Sequence, residues 1–108
     1  MPRYLFKVSY TTSGIAGVLE EGGSSRREVA SRLAASVGGT MESFHFAFGA
    51  VDAYVIAELP DAAAAASVAM RVSAEGVAGV ETVALLDPSE IDDAAAKARD
   101  AEYRAPGA

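Results

Sequence analysis

Two aromatic-rich segments of the chain alternate between apolar and other side chains with a period of two. In residues 4–10 the even positions hold Tyr, Phe, Val and Tyr, and in residues 40–48 the even positions from 44 onward hold only Phe. Successive side chains of a strand point to opposite faces, so this period predicts two β-strands, each with one apolar face. Such a chain must build a sheet and cover that face.

A third predicted strand follows the second so closely that the two form a hairpin. Gly49-Ala50 suits a two-residue loop, because glycine at the first loop position permits positive φ. The third strand then covers Val51 to Leu59, and a fourth covers Val80 to Leu86. This register predicts four cross-strand pairs: Phe48 with Val51, Ala47 with Asp52, His45 with Tyr54, and Ser43 with Ile56.

Helices are predicted between and after the strands. Ser25 and Glu28 have the spacing of a capping box, and the helix that they begin stops at Gly38-Gly39. Before it, only a loose helical turn is predicted for residues 15–21, because two glycines follow. Asp61 caps a helix of residues 62–74, and Asp87-Pro-Ser-Glu90 begins a C-terminal helix.

The order β-α-β-β-α-β with an added C-terminal helix predicts a ferredoxin-like α+β sandwich. We expect a ferredoxin-like domain at residues 1–87, and a C-terminal helix with a frayed tail at residues 88–108. One uniformly apolar sheet face is expected beneath the helices; it holds Tyr4, Phe6, Val8, Tyr10, Phe44, Phe46, Phe48, Val51, Ala53, Val55 and Ala57.

Composition excludes several classes of partner. Lys and Arg total 9 against 15 Asp and Glu, for a net charge of −6, which argues against binding to nucleic acid or to anionic membranes. No charge-free run approaches the ~20 residues of a membrane span, and no signal peptide is predicted. The absence of cysteine excludes disulfides and thiolate chemistry. We therefore expect a cytoplasmic protein, and the excess of Arg over Lys with abundant Ala is typical of a GC-rich bacterial genome.

Several short motifs together resemble the GYD-domain family over residues 1–90; they are Met1-Pro2-Arg3-Tyr4, Ser13-Gly14-Ile15, Gly38-Gly39, Phe44 to Asp52, Leu59-Pro60-Asp61 and Val80-Glu81-Thr82-Val83. The family signature Gly-x-Tyr-Asp reads Gly49-Ala50-Val51-Asp52 here, with Val51 in place of the tyrosine and Tyr54 nearby. This resemblance implies a dimeric α/β barrel, in a family whose biochemical role is mostly unassigned.

The second sheet face is mixed in character; it holds Leu5, Lys7, Ser9, Met41, Ser43, His45, Ala47, Asp52, Tyr54, Ile56 and Glu58. Four strands ~4.8 Å apart and ~20 Å long give it an area of roughly 400 Å². A patch of this size with Leu, Met, Ile and Tyr is typical of a contact surface. We expect the same face of a second copy to cover it, giving a homodimer with a cavity between the two sheets.

The candidate chemistry lies on this mixed face. His45 is predicted to be a general acid or base, with Asp52 orienting it and Tyr54 donating a hydrogen bond. Lys7, Ser43 and Glu58 are predicted to bind a ligand, which would be a small, partly apolar organic molecule. One hypothesis is thus a cofactor-free isomerase, cyclase or oxygenase-like enzyme.

The alternative hypothesis is a ligand-sensing or purely structural dimerisation module. In it, His45 and Tyr54 form a cross-strand aromatic pair, while Lys7 makes salt bridges across the interface. A single histidine without cysteine predicts no metal site and no cofactor. Arg26, Arg27 and Arg32 are interpreted as solvent-exposed charge rather than as an anion site.

Overall fold

One four-stranded sheet carries the aromatic residues of both alternating segments. A computed structural model of the chain describes residues 1–47 and 49–108. Its elements, in chain order, are β1 (Arg3–Tyr10), α1 (Thr12–Glu21), α2 (Gly23–Ser36), β2 (Thr40–Phe46), β3 (Ala53–Glu58), α3 (Ala62–Ala74), β4 (Ala78–Leu85) and α4 (Pro88–Asp100).

The strand order is β2-β3-β1-β4, and each neighbouring pair is antiparallel. The two strands of each β-α-β half are therefore not neighbours in the sheet, and one strand of the other half lies between them. This arrangement confirms the ferredoxin-like α+β sandwich with an added C-terminal helix. The strand ends differ from the predicted ones. The β2 strand ends at Phe46, β3 covers Ala53–Glu58 rather than Val51 to Leu59, and β4 already begins at Ala78.

The predicted apolar face lies beneath the helices. The core combines Tyr4, Phe6, Val55 and Ala57 of the sheet with Ala34 of α2, Ala65 of α3 and the fully buried Leu59. We call the side of the sheet that packs against the helices the helical face, and the opposite side the open face. Phe46 is only partly covered, with 39% of its surface exposed. Phe48 and its predicted pairing with Val51 lie outside the described residues.

The first crossover contains two helices where one was predicted. The loose turn predicted for residues 15–21 is wrong, because α1 is a helix of 10 residues. Thr11 caps it by accepting a hydrogen bond at 3.3 Å from the backbone N–H of Gly14. Gly22 then ends α1 with a φ of 86°, a conformation that favours glycine, and leads directly into α2.

The capping box predicted at Ser25 and Glu28 is also wrong. The α2 helix begins two residues earlier, at Gly23, and no side chain caps its N-terminus. Glu28 instead accepts a hydrogen bond at 2.8 Å from Arg32, one turn further along the helix.

The two later helix starts agree with the prediction. The side chain of Asp61 accepts a hydrogen bond at 2.8 Å from the backbone N–H of Ala64 and so caps α3. At α4, Asp87 and Glu90 form a reciprocal capping box, in which Glu90 accepts at 3.0 Å from the backbone N–H of Asp87.

A β-bulge in β2 changes the face of one predicted residue. Met41 pairs with Ala57 but Ser43 pairs with Ile56, so Glu42 is the extra residue. Met41 therefore packs against the core of the helical face, and its predicted place on the open face is wrong. Glu42 reaches the open face in its stead, where its carboxylate pairs with Arg3 of β1.

The α4 helix stands apart from the rest of the chain. All residues from 86 to 108 are exposed, including Ile91 at 51%. The radius of gyration is 17.1 Å, whereas a compact domain of this length has about 13 Å. The apolar stripe of α4, which runs from Ile91 to Ala98, thus has no partner among the described residues.

Candidate functional site

The open face arranges its side chains in three rows that cross the sheet. The middle row is apolar at its centre and consists of Ser43, Ile56, Leu5 and Val83. One flanking row consists of His45, Tyr54, Lys7 and Glu81, and the other of Thr40, Glu58, Arg3 and Leu85. A hydrophobic band between two polar rows is a pattern that a second copy of the same face can match.

His45 and Tyr54 lie opposite each other, as the hairpin register predicted. Asp52 has other partners, because its Oδ2 accepts a hydrogen bond at 2.8 Å from the backbone N–H of Tyr10, and its own N–H donates to Val8 at 2.9 Å. Within the described residues, no hydrogen bond joins Asp52 to His45. The acid–base role of His45, Asp52 and Tyr54 stays a prediction.

The three residues predicted to bind a ligand lie on the open face, but in different rows. The Nζ atom of Lys7 is 3.6 Å from a carboxylate oxygen of Glu81. Glu58 accepts a hydrogen bond from Arg3 at 3.3 Å, and Ser43 lies at the end of the apolar row. Lys7 and Glu58 thus form ion pairs within the chain. The ligand-binding role of all three residues also stays a prediction.

Arg3 organises a charged cluster that sequence reasoning missed. Its guanidinium lies 2.7 Å from Glu42, 3.3 Å from Glu58 and 3.4 Å from Asp87. The hydrogen bond with Glu42 and the charge of that carboxylate raise the pKa of Arg3, and the same hydrogen bond lowers the pKa of Glu42. No local spacing indicates this cluster, because the bulge and the sheet pairing bring these distant positions together.

We expect the substitution Glu42→Gln to weaken the pH dependence of the free energy of unfolding in the acidic range. The lowered pKa means that ionised Glu42 stabilises the fold above its usual pKa, near 4.5. That contribution is lost as the pH falls through the lower pKa of the folded chain. Urea unfolding across this acidic range measures the effect. The control is Glu20→Gln, which removes an exposed carboxylate, and an equal change in both variants would contradict the prediction.

An apolar cavity of about 120 Å³ lies on the helical face, between the sheet and the helices α2 and α3. Its larger apolar lining residues include Phe6, Phe44, Met41, Leu33, Leu59, Val29, Val55, Val68 and Val72. Ala30, Ala34, Ala57 and Ala78 also line it, so space remains that larger side chains would fill. The cavity is not sealed from solvent, because Val29 in its lining is 43% exposed.

Arg26 and Tyr10 are the polar residues among the described lining of this cavity. The Arg26 side chain is 32% exposed, whereas Arg27 and Arg32 are exposed to solvent as predicted. Arg26 is thus only partly exposed to solvent, which the interpretation of all three arginines as solvent-exposed charge did not predict. The sequence does contain a signal for this partial burial. Arg26 precedes Val29, Ala30 and Leu33 at helical spacing, so it lies on the same side of the helix as their apolar stripe.

The described residues offer little for metal chemistry. In residues 1–47 and 49–108, no three His, Asp or Glu side chains lie together as a metal ion would need. Over the same residues, no helix has the length and apolar character required to cross a membrane.

Comparison with known proteins identifies one family. A family model described as the GYD domain matches residues 4–95, a range that includes the first turns of α4 and all of the sheet except Arg3. No curated protein and no solved structure gives a significant match.

Proposed function

This chain belongs to the GYD-domain family, and on that premise we propose that it is a homodimer that binds a small, largely apolar organic molecule. The cavity on the helical face is the observation that carries this proposal. Apolar cavities of about 150 Å³ bind benzene-sized molecules and stay dry when empty. A ligand that binds the folded chain in this cavity would raise its stability by mass action.

The open face supports the homodimer. Its apolar row of Leu5, Ile56 and Val83 is covered by no helix of the described chain. A face of roughly 400 Å² falls short of the ~800 Å² per partner that a stable interface buries. The exposed stripe of α4 supplies further apolar surface, and we propose that it packs on the second copy as well.

The proposed binding site and the predicted catalytic residues lie on opposite sides of the sheet. A ligand in the cavity would not contact His45 or Tyr54, which belong to the open face. Non-catalytic binding is therefore the function that the geometry favours. Acid–base chemistry by His45 would need a second ligand position between the sheets of two copies.

Toluene is a direct probe of the cavity. We expect saturable methyl chemical-shift changes at Val68 and Leu33, with a Kd on the order of 1 mM or lower. The substitution Val72→Phe should abolish binding, because the larger side chain occupies the cavity. Two-dimensional NMR of methyl-labelled protein measures both effects.

The matched control for this experiment is Met70→Phe on the same helix. Met70 is 71% exposed and does not line the cavity, so this variant should bind toluene like the unaltered protein. The absence of toluene-induced shifts at the cavity methyl groups would contradict the proposed binding function.

A further inference from the structure

Arg26 is the charged residue in the described lining of the cavity on the helical face, which is apolar apart from it and Tyr10. It lies one turn before Val29 and Ala30, on the side of α2 that faces the sheet. Its nearest charged neighbour is Glu21, whose carboxylate oxygen lies 3.7 Å from a guanidinium nitrogen. That separation exceeds a hydrogen bond, and within the described chain no side chain is recorded as accepting one from Arg26.

A guanidinium has five N–H donors and no acceptor, so it selects a ligand group that accepts hydrogen bonds. A carboxylate matches its geometry best, because two oxygens accept from two parallel N–H groups. We propose that the ligand is a small monocarboxylic acid, with its compact apolar body in the cavity and its carboxylate on Arg26. This inference rests on the proposed function, since it names the ligand of the same cavity.

The size and charge of the site narrow the ligand class further. A volume of about 120 Å³ accommodates an aromatic ring or a short branched chain, but not a long acyl chain. Glu21 offsets part of the Arg26 charge, and Tyr10 is the other polar residue of the described lining. A site with one arginine suits a monoanion better than a phosphate dianion, which needs several donors.

Three probes with the same ring separate shape from charge: benzoate, benzyl alcohol and benzylamine. For the full chain, we expect benzoate to bind about tenfold more tightly than benzyl alcohol, because its charged carboxylate has two oxygens that can accept from the Arg26 guanidinium, whereas the alcohol offers one neutral oxygen. Benzylamine should bind most weakly, since its ammonium faces the guanidinium. The preference for benzoate should decrease as salt is added.

The test variant is Arg26→Gln, and the matched control is Arg27→Gln at the adjacent exposed position. We expect Arg26→Gln to reduce benzoate affinity about tenfold and to leave benzyl alcohol within twofold, whereas Arg27→Gln should change neither. Isothermal titration calorimetry measures the affinities, and thermal unfolding checks that both variants are folded.

The outcomes distinguish the two proposals. Equal affinities for benzoate and benzyl alcohol, or a benzoate preference that survives in Arg26→Gln, would overturn the carboxylate assignment while leaving the apolar cavity site intact. If no probe binds and toluene also fails, the proposed function is wrong and the carboxylate assignment fails with it.

Discussion

The substitution Leu59→Ala is expected to lower the free energy of unfolding by about 2–5 kcal/mol. Leu59 is fully buried and lines the cavity, and its backbone N–H donates to Pro2 at 3.0 Å. Truncation removes apolar contacts and enlarges a space that is already unfilled, so relaxation around the site recovers little of the loss. Urea denaturation followed by circular dichroism measures the change.

The same variant also tests the binding proposal. A larger cavity should accept larger apolar probes, and saturating toluene should restore part of the lost stability through ligand linkage. The control is Leu19→Ala, the same chemical change at a position that is 86% exposed, which should shift stability by less than about 0.5 kcal/mol. Similar losses in the two variants would show that Leu59 is not the core residue described above.

The substitution Leu5→Glu should convert the proposed homodimer to a monomer. Leu5 lies at the centre of the open face, between Ile56 and Val83. Two glutamates buried near a two-fold axis would lose hydration and repel each other, at a cost of several kcal/mol. Sedimentation velocity at micromolar concentration measures the change in assembly.

The matched control for the assembly experiment is Met70→Glu, which introduces the same charge on the solvent side of α3. This variant should sediment like the unaltered protein. A wild-type chain that sediments as a monomer would contradict the homodimer, and so would a Leu5→Glu variant that stays dimeric.

Strand positions, the hairpin register and two of the helix caps could be predicted from residue order. The period-two alternation, Gly49-Ala50, Asp61 and Asp87 are local signals, because backbone geometry and capping depend on residues a few positions apart. The prediction fails where one local signal is compatible with two different structures. Gly22-Gly23 locally predicts a simple break, whereas in the structure Gly22 joins two helices and Gly23 begins the second one.

Local alternation and capping specify the ferredoxin-like order of strands and crossovers, because each depends on neighbours along the chain, but they do not reveal the second helix of the first crossover. The charged cluster around Arg3, the inward turn of Met41 and the cavity beside Arg26 depend on segments that meet only after folding. A bulge changes the sheet face to which a side chain points, and a cavity is the space left between packed elements. Neither has a short-range pattern, so the three-dimensional packing of helices against the sheet determines where the proposed ligand site lies.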